Sequence, residues 1–204
     1  MNASNRAQDV LVEYDPQWVE EFNDLRDAYK RKLGNLAISV EHIGSTAIPG
    51  IKSKPIIDID IVISGYEGFP EIKQRLKELG YWHNGDQGIQ EREVFKRLDS
   101  RSPITEVGRV WTPHHLYVCP KDGKELVRHL TFRDFLRANP AKCAEYETIK
   151  CEIASISDGN RKKYAAIKEA RCRDFVEGIL AIALKECKVS DGGRSGWNAD
   201  DTRY

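Results

Sequence analysis

Residues 56–63 read IIDIDIVI, an apolar run broken twice by aspartate. In an extended strand successive side chains point to opposite faces, so Asp58 and Asp60 share one side while Ile57, Ile59 and Ile61 share the other. Any fold containing this segment must give the isoleucines a core and find a setting for two carboxylates about one strand repeat apart. Such a pair repels itself, and burying it unpaired costs several kcal/mol. Two settings satisfy that constraint. The acidic face is solvated at a sheet edge, or a hard divalent cation such as Mg²⁺ or Mn²⁺, which prefers oxygen ligands, neutralises it.

Twelve residues separate Asp58 from the pair Gly44-Ser45, which opens the loop STAIPGIKSKP. Glycine permits close backbone approach and unusual dihedrals, and Ser45 and Thr46 bring hydroxyls and backbone N–H groups that can hold a phosphate, above all where a helix begins. An ordinary turn before Pro49 has the same composition. The joint pattern of Gly-Ser followed by Asp-Ile-Asp inside an apolar strand is more specific than either half.

Upstream, Asp15-Pro16 forms a helix start, and Trp18, Phe22, Leu25, Tyr29 and Leu33 recur every three or four residues until Gly34. Residues 37–43 alternate as a strand. Phe69, Ile72, Leu76 and Leu79 predict a helix ending at Gly80. After a glycine-rich loop at 85–88, a hairpin is expected across 92–118, holding EVFKRLD, RVWT and HLYVC. Helical spacing then dominates over 124–138, 140–156 and 160–187. This order predicts an α+β fold, a mixed β-sheet with helices packed on one side and a helical C-terminal half.

The chain of 204 residues suits one domain, expected over 9–188, with flexible tails at 1–8 and 189–204. Lysine plus arginine and aspartate plus glutamate both number 32, so no global field draws in nucleic acid or an anionic membrane. Five scattered cysteines without C-x-x-C spacing predict reduced thiols, and the lack of a long apolar run predicts a cytoplasmic protein.

The Gly-Ser and Asp-Ile-Asp pattern resembles the hG[GS]…Dh[DE]h signature of the nucleotidyltransferase superfamily. More narrowly, EHIGSTAIPGIKSKPIIDIDIVI (41–63), EREVFKR (91–97), HHLYVC (114–119), RHLTFRDFLRANP (128–140), YETIK (146–150) and YAAIK (164–168) resemble the GrpB family. The resemblance implies a polymerase-beta-like nucleotidyltransferase fold in which Gly44 and Ser45 contact a triphosphate and Asp58 and Asp60 bind Mg²⁺ or Mn²⁺. It also implies attack by an acceptor hydroxyl, on a small molecule or a protein, at the α-phosphate of a nucleoside triphosphate. Similar domains fused to dephospho-CoA kinases imply a link to nucleotide or CoA metabolism.

Such enzymes draw a third carboxylate from a later strand. Here HHLYVC offers none, and His115 stands in its place, able to ligate a metal or serve as a general base. With zero net charge, phosphate must be held by local cations. Lys54, Arg92, Arg128 and Arg133 are the candidates, although Arg128 and Arg133 lie five apart and one of them is free to pair with Asp134 or Glu125. The tyrosine–lysine spacing repeated in YETIK and YAAIK puts Lys150 and Lys168 at a rim or facing a ligand. Two alternatives stay open beside the transferase: a non-catalytic nucleotide- or CoA-binding module, and an oligomeric scaffold, with a homodimer admitted.

Overall fold

In the computed structural model, which describes residues 10–191, five strands and five α-helices build an α+β fold around a mixed sheet. The N-terminal tail expected at 1–8 and most of the tail expected at 189–204 lie outside the described residues.

Helix α1 (Gln17–Leu33) begins where Asp15 Oδ1 accepts the Gln17 N–H at 2.9 Å, satisfying a donor that the first turn leaves free. It ends at Gly34, whose φ of +57° suits glycine. Its last carbonyls, of Lys32 and Leu33, accept from Arg75 on α2 (Phe69–Glu78).

The sheet runs β1 (Ser39–Ile43), β2 (Ile57–Ile63), β5 (His114–Pro120), β4 (Glu93–Arg97), β3 (Tyr81–His83) in spatial order. β2 pairs antiparallel with β1 and parallel with β5; the β5–β4 and β4–β3 pairs are antiparallel. The expected hairpin between 92 and 118 therefore exists as β4–β5. Its RVWT segment is not a strand, because Trp111 is pinned elsewhere: its N–H donates to the Ser100 carbonyl and its indole to that of Pro103. The three-residue edge strand β3 is too short to show alternation.

The alternation in β2 holds. Ile57, Ile59, Ile61 and Ile63 pack against Phe22, Leu25, Tyr29 and Leu33 of α1 and Ile72 and Leu76 of α2. The aspartate face is also covered. Helix α3 (Lys124–Ala138) lays Leu126 and Leu130 over Val62, Cys119 and Tyr117. The expectation of helices on one side of the sheet is thus corrected: both faces of β2 are roofed.

Helices α4 (Pro140–Ser157) and α5 (Arg161–Asp191) form a second core with α3, centred on Tyr146, Ile153, Tyr164 and Ile179, which also takes in Ile48 and Ile51 of the β1–β2 loop. That loop is fastened to the helical half. Arg137 Nε donates to the Ala47 carbonyl, Glu147 accepts the Lys52 N–H, and Lys150 Nζ donates to the Lys52 carbonyl. These bonds hold Ser45 over the carboxyl-rich end of β2.

Candidate functional site

A cavity of about 730 Å³ opens between the sheet and the helical half. Ser45, Asp58 and His115 line it from the sheet side, Arg92 and Arg128 from the flank, and Lys54, Lys150, Tyr164 and Lys168 from the loop and helices.

Gly44 and Asp58 are built for each other. Gly44 has φ +71° and ψ −169°, and a Cβ there would stand 2.3 Å from Asp58 Oδ2. Only glycine lets the turn press against the carboxylate, so the two halves of the sequence pattern meet in space. The helix at Ser45 is a single 3₁₀ turn, Ser45–Ala47, and Ser45 Oγ lies 3.4 Å from the Tyr146 hydroxyl.

Register sets the next contact. β2 and β5 place Asp58 opposite His115, and His115 Nδ1 lies 2.8 Å from Asp58 Oδ1. Burial works to raise the Asp58 carboxyl, but the His115 hydrogen bond and the charges of His115, Lys168 and His129 hold it below the ordinary range. Its neighbour in HHLYVC faces the other way. His114 sits in the core against Tyr29 and Tyr81, where burial drives it down to about 3.

Asp60 is in a different place. Its side chain is wholly buried, 2.7 Å from His129 Nδ1, with Cys119 Sγ at 3.9 Å. His129 Nε2 lies 3.2 Å from Glu125. Burial would lower His129, yet its bonds to Asp60 and Glu125 win and raise it to about 9. Asp60 faces His129 and Cys119 and does not line the cavity, so in this arrangement the two aspartates do not present a shared pair of free oxygens to it. Among the described residues, no group of three or more His, Cys, Asp or Glu side chains is set to hold a metal ion.

The remaining expected residues divide. Lys54 lies over the Tyr164 ring at 5.2 Å, and burial, then Lys168, lowers its ammonium. Arg92 stacks on Tyr117 at 5.0 Å, and its Nε is buried with no hydrogen-bond partner among the described residues. Arg128 reaches the cavity while paired with Glu177. Two residues turn away. Thr46 is buried, bonded to His42 Nε2 and the Ile56 carbonyl. Arg133 fastens α3 to β1 through Glu41 and the His42 carbonyl and pairs with Asp134, as its offset from Arg128 allowed.

The helical half contributes more than the strands announced. Lys150 is 1% exposed and lies 5.0 Å from the Tyr146 ring centroid, without a carboxylate partner among the described residues; burial, then Lys168, pushes it down to about 7. Lys168 is held above its ordinary value, by Tyr146 first, with Tyr164 and Asp58 adding against burial. The Tyr-x-x-x-Lys repeat was the signal for both. Glu125 and His129 stand four apart on one helix, but nothing local signalled that His129 would meet Asp60, which lies in a distant strand.

A family model described as GrpB protein matches residues 9–178. The chain is 31% identical over 180 residues to Glutamate-rich protein GrpB of Alkalihalophilus pseudofirmus, covering 86% of this chain and 96% of that protein. It is 30% identical over 159 residues to UPF0157 protein YqkA of Bacillus subtilis, covering 78% of this chain but 43% of YqkA. The crystal structure of conserved protein GrpB from Enterococcus faecalis, at 32% identity, aligns with a TM-score of 0.70 over 87% of this chain and 98% of that one.

Proposed function

For a chain that belongs to the GrpB family, as this one does, we propose a nucleotide-binding site in the cavity between sheet and helices, serving transfer of a nucleoside monophosphate from a nucleoside triphosphate to a hydroxyl acceptor. One observation carries the reading. Six basic side chains (Lys54, Arg92, Arg128, Lys150, Lys168 and Arg173) and three acidic ones (Asp58, Glu125 and Glu169) line the cavity of a chain with no net charge. The excess of positive charge is local, as recognition of a polyanion by a neutral protein requires.

Each group has a task under this reading. The triphosphate lies against Ser45 and the Gly44 turn, with Lys54, Lys150 and Lys168 as point charges and Arg92 as a planar donor. These fixed cations also stabilise the charge that develops on the transferring phosphoryl group. Asp58 accepts from His115 Nδ1–H and fixes that tautomer, leaving Nε2 to take the proton of the attacking hydroxyl. Bond formation from that oxygen to the α-phosphorus expels pyrophosphate. Asp58 is the one aspartate of the pair that lines the cavity, so a divalent ion arriving with the triphosphate would meet that carboxylate.

The second reading is a module that binds a nucleotide or CoA without catalysis, and the engagement of Asp60 by His129 favours it. A calorimetric panel of ATP, CTP, GTP, UTP and CoA, each with Mg²⁺ and with EDTA, separates the readings when coupled to a pyrophosphate assay. Saturable binding with pyrophosphate release supports transfer, and binding without release supports the module. No binding by any of the five removes both.

A further inference from the structure

The misfit at Asp60 has a physical cause. A carboxylate with no solvent exposure, one strand repeat from a second carboxylate, needs a positive charge in contact with it. His129 supplies that charge by geometry. Its Nδ1 faces Asp60 Oδ2 at 2.7 Å and its Nε2 faces Glu125 Oε1 at 3.2 Å. Carboxylate oxygens only accept, so Nδ1 donates to Asp60, and the second carboxylate beside Nε2 gives the ring an ion-pair partner on each side, a setting that favours its cationic form. The other Asp60 oxygen faces the Cys119 thiol, and Leu126 and Leu130 of the same helix pack on Val62, Cys119 and Tyr117.

We infer that His129 is a built-in cation seated where the Asp-Ile-Asp pattern would place a divalent ion, so that Asp60 is a positioning residue for helix α3 and not a metal ligand. The arrangement leaves Asp58 as the one carboxylate of the pair that lines the cavity. It also ties helix α3 to β2, beside the Arg133–Glu41 pair that ties the same helix to β1. Removing the imidazole frees the carboxylates of Asp60 and Glu125 and creates a hard-oxygen site suited to Mn²⁺. The inference goes beyond nucleotide binding and can fail separately, because its test uses the metal alone.

The test measures Mn²⁺ binding to the full chain without nucleotide, by the electron paramagnetic resonance signal of free Mn²⁺ and by the metal-induced shift in Tm. The native chain is expected to show no saturable uptake that depends on Asp60. His129→Ala should gain a saturable site, with Tm rising about 3–6 °C at ten times the Kd. His129→Lys keeps the cation and should stay indifferent, and His129→Ala combined with Asp60→Asn should lose the gain. Saturable Mn²⁺ uptake by the native chain that Asp60→Asn abolishes overturns the inference, and so does a folded His129→Ala that gains nothing. The comparison of native chain and Asp60→Asn decides the matter even where His129→Ala does not fold.

Discussion

Gly44→Ala tests the contact on which the site is built. At φ +71° and ψ −169° an alanine enters backbone space that is nearly glycine's alone, at a cost of about 1–3 kcal/mol. Its Cβ would also stand 2.3 Å from Asp58 Oδ2 and 3.0 Å from Asp58 Cγ, so the carboxylate must swing away and give up His115. That bond is part-exposed, the His115 side chain being 55% accessible, so its loss adds no more than about 1 kcal/mol. The total is about 1–4 kcal/mol, read from urea unfolding at constant m. A double-mutant cycle separates the two parts. With Asp58→Ala in place, Gly44→Ala keeps the backbone strain and loses its collision with the carboxylate, although Cβ of residue 58 stays 3.0 Å away. The reasoning requires a coupling of about 1 kcal/mol between the substitutions, and additivity within about 0.3 kcal/mol would refute it.

The other expectations concern chemistry and pH. His115→Ala should reduce pyrophosphate release about a hundredfold or more while changing ATP affinity little, as loss of a general base does; an equal loss in affinity would make His115 a binding group instead. Lys150, lowered to about 7 in the fold, binds fewer protons than the unfolded chain between pH 7 and its ordinary value of 10.5, so its penalty is full below pH 7 and relieved as pH rises. Lys150→Met should therefore stabilise the fold at pH 6 more than at pH 9, measured by denaturant unfolding at both. His129 has the opposite sign. Raised from 6.5 to about 9, it contributes stability fully present below pH 6.5 and lost as pH climbs through 9, and in the Lys150→Met background His129→Gln should flatten that decline. An anion that recharges Lys150 should bind with proton uptake near pH 8, visible as a dependence of calorimetric heat on buffer ionisation enthalpy.

What the sequence disclosed follows the range of the physics involved. The isoleucine–aspartate alternation of β2 and the period of α1 are local, and both appear where the residues place them. The adjacency of Asp58 and His115 could be anticipated because the alternation of HHLYVC sorts its histidines onto opposite faces. The fate of Asp60 could not. Its partner His129 is 69 residues away on a helix whose buried residues show little periodicity, and nothing near IIDIDIVI says that α3 will roof that face. Arg133 and Thr46 misled for a related reason: a basic or hydroxyl side chain near a phosphate-type loop has the same composition whether it faces the cavity or fastens the loop. RVWT has strand composition, but Trp111 is satisfied by Ser100 and Pro103 instead of by a neighbouring strand.

The most direct measurement is a calorimetric titration of ATP into the native chain and into Lys168→Glu at matched ionic strength. If the cavity's local excess of positive charge holds the phosphates, the native chain binds with one-to-one stoichiometry, and reversing one cation weakens binding about tenfold or more, an effect that salt diminishes. No saturable heat with the native chain, or equal affinity in the charge-reversed variant, would contradict the account.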